Sequence, residues 1–132
     1  MPAVNYVAVL VAAVVSMVFG FLWYGPLFGK TWIRLMGVKE MGNKSQMPRN
    51  YFILFVSSLV TAYVIADFIA LTRMSTLTGV LGLAAWAWLG FQATLMIGSV
   101  LWEGKSWNLY CLNAAYWLVN LLVIAAVLFY LA

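Results

Sequence analysis

The sequence predicts an all-α integral membrane protein: a single domain over 1–132, built as a four-helix bundle with a short interfacial amphipathic helix between helices 1 and 2. Three observations carry this. Apolar residues make up 67% of the 132 and charged ones only 8%, which leaves too little polar surface to solvate a soluble globule. Four apolar runs, at about 3–24, 50–71, 77–102 and 107–131, each reach the roughly 20 residues that cross about 30 Å of hydrocarbon as a helix. The runs are continuous rather than alternating, which excludes a barrel of short strands. Finally, five of the seven cations fall in one segment, about 27–49, between the first two runs.

The first run follows Met1-Pro2-Ala3-Val4-Asn5, which has no basic stretch, so it reads as a retained anchor rather than a cleaved signal. Ala8, Ala12, Ser16 and Gly20 recur along it at every fourth position. Gly25-Pro26 is expected to stop this helix, because proline lacks the amide proton and turns the preceding residue away from helical dihedrals. Beyond it, Phe28, Trp32, Leu35 and Met36 share one helical face, and Lys30 and Arg34 share another. That pattern suits a helix lying in the headgroup layer, with its cations toward anionic lipid phosphate. It equally suits a connector whose aromatics pack on the protein itself. A loop from Gly37 to Pro48 follows, carrying Lys39 and Lys44 against Glu40, with Arg49 just beyond.

The second helix carries Ser58, Ala62, Ala66 and Ala70 at the same spacing, and the third Gly90, Thr94 and Gly98. In lipid, where no hydrophobic force drives helices together, small residues let backbones approach. The stripes fit packing within one chain, between copies in a homo-oligomer, or in a larger membrane complex. Between helices 2 and 3, Ser75 or Thr76 is placed to cap; between helices 3 and 4, Gly104 closes one helix and Ser106 caps the next. Such tight links make neighbours antiparallel. Lys30, Arg34, Lys39, Lys44, Arg49 and Lys105 then lie on one side of the membrane, and Arg73 alone on the other. The positive-inside rule makes the first side cytoplasmic and both termini external, as in a bacterial inner membrane protein.

Five polar side chains within the runs form a candidate polar site: Asp67, Gln92, Asn113, Tyr116 and Asn120. Asp67 falls about 16 residues, or about 24 Å, along its helix and so near the outer boundary, where a pair with Arg73 or a bond to Tyr63 is expected ahead of a proton or cation role. Asn113, Tyr116 and Asn120 share one face of the last helix. Their ordinary role is hydrogen bonding between helices; the sharper alternative is a path or small-solute site lined by Gln92, Asn113, Tyr116 and Asn120. A second candidate group is interfacial: Trp23, Tyr24, Gly25, Pro26, Lys30, Trp32 and Glu103. Its rings, with Trp102, Trp107 and Tyr110, favour the headgroup level, and Glu103 is placed to pair with a cation of the long loop.

Several chemistries are excluded or disfavoured. The chain has no histidine, which removes the commonest metal ligand and the usual general base near neutral pH. No catalytic residue, metal or cofactor is expected. The net charge of +4 is explained by topology rather than by nucleic acid. Cys111, flanked by Tyr110 and Leu112, reads as a small apolar packing residue. A lipid-modifying enzyme built on Glu103 lacks a visible nucleophile and base.

Three segments carry a family resemblance: Trp23-Tyr24-Gly25-Pro26-Leu27-Phe28-Gly29-Lys30-Thr31-Trp32, Leu101-Trp102-Glu103-Gly104-Lys105-Ser106-Trp107, and Asn113-Ala114-Ala115-Tyr116-Trp117-Leu118. Together they resemble the domain of unknown function 1761 family of small four-helix membrane proteins, over nearly the whole chain. The resemblance implies a compact single-domain membrane protein and brings no activity with it. The expected function is a non-enzymatic accessory or scaffold subunit packing through its small-residue faces. The alternative is a small oligomeric channel or transporter for a small solute or proton, using the polar faces of helices 3 and 4.

Overall fold

A computed structural model describes residues 4–39 and 44–131. The described residues are mostly helical, with no strand among them: α1 (Tyr6–Leu22), α2 (Gly29–Met36), α3 (Met47–Thr72), α4 (Leu77–Trp88), α5 (Thr94–Met96), α6 (Gly98–Leu101) and α7 (Trp107–Leu131). Wide π turns at Trp23–Leu27 and Leu89–Ala93 carry two of them onward. Four stretches are long and apolar enough to cross a membrane: Tyr6–Leu27, Met47–Thr72, Leu77–Leu101 and Trp107–Leu131. This is an all-α membrane bundle of four spans.

Local chemistry sets most of the boundaries. Asn5 Oδ1 accepts from the amides of Val7 and Ala8 and starts α1. Thr76 is the cap that starts α4, its hydroxyl accepting from Gly79 N at 3.1 Å, and the Ser106 hydroxyl accepts from Leu109 N at the start of α7. Gly104 supplies a left-handed turn at φ 71° between them. Pro48 sits in the first turn of α3, where a missing amide proton costs nothing because that donor has no helical partner.

Gly25-Pro26 does not stop the first helix. The pairing shifts to the fifth residue, Phe28 N donating to Trp23 O at 2.7 Å, and the wide turn absorbs the proline. The break comes at Phe28, with φ −130° and ψ 10°. The third span has its own wide turn at Leu89–Ala93, and hydroxyls serve carbonyls there: Thr94 Oγ1 donates to Gly90 O at 2.8 Å and Tyr110 Oη to Ala93 O at 2.8 Å. In hydrocarbon no water can take such a carbonyl, so a protein donor must.

The spans pack in the order second, first, fourth, third, with α3 on α1, α1 on α7 and α7 on α4. Ala8, Val9, Ala12, Ala62, Ile65, Val80, Ala84, Ile124 and Leu128 belong to one buried cluster, at the end that carries Asn5 and Leu131. Two of the three small stripes are used inside the chain. Ala8, Ala12 and Ser16 are buried on α1, as are Ser58 and Ala62 on α3. The third faces outward, for a side-chain carbon added at Gly90 would touch nothing within 4 Å. The two grooves described next lie toward the opposite, basic end.

Candidate functional site

At the basic end α2 folds back against α7, so its aromatics pack on the protein itself. Trp23 and Phe28 lie 4.6 Å apart between ring centres, and Tyr24 meets Trp32 edge to face at 6.4 Å. Lys30 and Arg34 point outward. Gly29 is buried, and a Cβ there would fall 2.5 Å from Tyr24 O, so this contact excludes any side chain. Gly25 and Pro26 are exposed.

Tyr24 and Tyr116 define the centre of the site. Their rings are 4.9 Å apart, and Tyr24 Oη donates to Asn113 Oδ1 at 2.7 Å. Tyr116 is buried and stacks on Phe19 at 5.5 Å, and its hydroxyl makes no hydrogen bond among the described residues. A Cβ at Gly20 would come within 2.9 Å of that hydroxyl, which explains the glycine. Deeper in the bundle Ser16 Oγ donates to Asn120 Oδ1 at 2.6 Å, both residues 2% exposed.

Beside this pair of tyrosines a groove of about 620 Å³ opens between α1, α3 and α7. Tyr24, Asn50, Tyr51, Tyr116 and Trp117 line it, with no charged side chain in its walls. Leu54, Tyr116 and Trp117 also bound a second, smaller cavity of about 30 Å³, whose walls carry Ser16, Ser57, Ser58, Thr61 and Asn120. A water needs at least about 10–15 Å³ of such space and several polar partners; this cavity offers both.

The predicted polar site is only partly assembled. Tyr116 and Asn120 border these cavities, and Asn113 is held by Tyr24. Gln92 lies in the wide turn of the third span, lines neither cavity, and its Oε1 is buried with no partner. Asp67 also stands apart, 9% exposed with Oδ1 unpartnered. The expected pair with Arg73 and bond to Tyr63 are not made among the described residues. Arg73 instead closes α3 from an exposed left-handed position, φ 55°, while the Tyr63 ring stacks on Tyr6.

Other expectations also change. Glu103 is exposed and makes no ion pair among the described residues; Glu40 lies outside them. Cys111 is not a packing residue. It is exposed, at the edge of a second groove of about 440 Å³ between α2 and α7. The described residues hold no group of three or more histidine, cysteine or carboxylate side chains that could bind a metal. Sequence reasoning treated Ser16 and Ser58 as spacers and passed over Asn50, Tyr51 and Thr61. The spacing of Ser57, Ser58 and Thr61 on one apolar helix was the available signal.

The family model for "Protein of unknown function (DUF1761)" matches residues 7–129. The chain belongs to the DUF1761 family. No curated protein and no solved structure matches it. The family match spans all four membrane helices of this DUF1761 protein, including the Tyr24, Asn113, Tyr116 and Asn120 cluster.

Proposed function

We propose that this DUF1761 protein is a non-enzymatic accessory or scaffold subunit of a bacterial inner membrane, working as a homo-oligomer or within a larger membrane complex. The observation that carries the reading is how polar groups between spans are used. Ser16 is bonded to Asn120, Tyr24 to Asn113, Trp88 Nε1 to Ala114 O at 2.9 Å, and Tyr110 to Ala93 O. These groups hold helices together by pairing with one another across the spans. Gly90, open on the outside of the third span, gives a neighbouring helix a surface for close approach. The orientation follows from charge: six cations toward the cytoplasm, where they meet anionic headgroups, and both termini outside. The test is purification from native membranes. A second copy or another membrane subunit accompanies the wild-type chain and is lost when Gly90 and Gly98 are both enlarged to leucine; a chain that purifies alone and unchanged contradicts the reading.

A second reading, a small channel or transporter for a solute or proton, has one observation in its favour. The 620 Å³ groove shares Leu54, Tyr116 and Trp117 as walls with the hydroxyl-lined cavity beside Asn120, so a polar space adjoins an open one. Flux into proteoliposomes that is lost on Asn113→Ala or Asp67→Asn supports it.

A further inference from the structure

We propose that the groove between α1, α3 and α7 binds a neutral lipid whose head is a flat ring carrying carbonyl acceptors, of the quinone class. This site is independent of the accessory reading above.

Size, charge and hydrogen-bonding character each narrow the ligand. About 620 Å³ falls within the range of small-molecule sites, roughly 300–1,000 Å³. The walls hold no charged side chain, and the neighbouring Arg49 is exposed and already bonded to Gln46 and Asn50, so a phosphate or carboxylate head inside the groove loses its hydration without a counter-charge in contact. Phe21, Tyr24, Tyr51, Tyr116 and Trp117 present aromatic surfaces instead, which favour a planar ring by offset or edge contacts. The unused polar groups are donors. The Tyr116 hydroxyl has no acceptor among the described residues, nor has that of Tyr51. Asn50 Oδ1 already accepts from Arg49, which leaves its amide protons to give. Tyr24 is committed to Asn113. A lining that offers protons and no charge is complementary to neutral carbonyl oxygens. Exposed Phe21, Tyr51 and Leu54 border the mouth, so an apolar tail leaves between α1 and α3 into the surrounding hydrocarbon.

The test uses the full chain in nanodiscs of zwitterionic lipid, titrated with a naphthoquinone bearing one prenyl unit, with empty nanodiscs as the reference. One probe is expected to saturate each chain. Leu54→Trp, which fills the groove, abolishes that binding. Tyr116→Phe, which keeps the ring and removes the donor, weakens it about threefold to tenfold, the value of one neutral hydrogen bond. Thermal melting of each variant checks the fold, and the isosteric Tyr116→Phe decides the matter if Leu54→Trp does not fold. Binding no greater than to empty nanodiscs overturns the proposal. So does unchanged affinity in Tyr116→Phe, or equal displacement of the probe by a saturated alcohol of the same carbon number, which marks a groove that takes any alkyl chain.

Discussion

Ser16 and Asn120, 104 residues apart in the chain, meet inside the bundle through a 2.6 Å hydrogen bond from hydroxyl to side-chain carbonyl. The bond ties the first span to the fourth beside the small hydroxyl-lined cavity. Polar contacts of this kind in membranes average about 0.6 kcal/mol and reach about 1.7. A double-mutant cycle of Ser16→Ala and Asn120→Ala, read by reversible unfolding, is expected to give a coupling of about 1 kcal/mol. A value near zero removes this pair from what holds the spans together.

Gly29 and Gly25, four residues apart, should respond to alanine very differently. At Gly29 the new methyl meets the Tyr24 carbonyl oxygen at 2.5 Å, and backbone must move. A loss of more than about 1 kcal/mol and release of α2 from α7 are expected, as for other overpacked sites. At Gly25 the methyl meets nothing within 4 Å outside its chain neighbours, but it crowds the ring of Pro26 in a helical turn, which offsets the smaller backbone entropy lost on folding, so a change of less than about 0.5 kcal/mol is expected. Thermal melting and proteolysis of the 37–48 segment read both.

Arg73 is the one described non-glycine residue with positive φ, at 55°. The left-handed conformation costs an ordinary side chain about 1–2 kcal/mol. Arg73→Gly is therefore expected to raise stability by about 1 kcal/mol, because Arg73 makes no ion pair among the described residues. A fall in melting temperature means that its side chain holds something the fold does not show.

Much of this architecture is legible from the chain because local chemistry decides it. The roles of Thr76, Gly104 and Ser106 depend only on a few neighbours, and run length alone gives four spans. The behaviour of Pro26 is less legible, since a wide turn can absorb a missing amide proton where a regular helix cannot. The candidate site is legible only in part. The face shared by Asn113, Tyr116 and Asn120 follows from helical periodicity, but their partners Tyr24 and Ser16 come from a helix nearly a hundred residues away. The groove itself belongs to no single segment. Its walls come from α1, α3 and α7, at the end where large rings rather than alanines line the interior.

Proton and small-solute flux into liposomes holding the purified protein tests most directly whether the buried polar groups hold the bundle or line a path. The account predicts rates equal to those of protein-free vesicles, unchanged by Asp67→Asn or Asn113→Ala. Flux above that level, abolished by either substitution while the protein still folds, contradicts it.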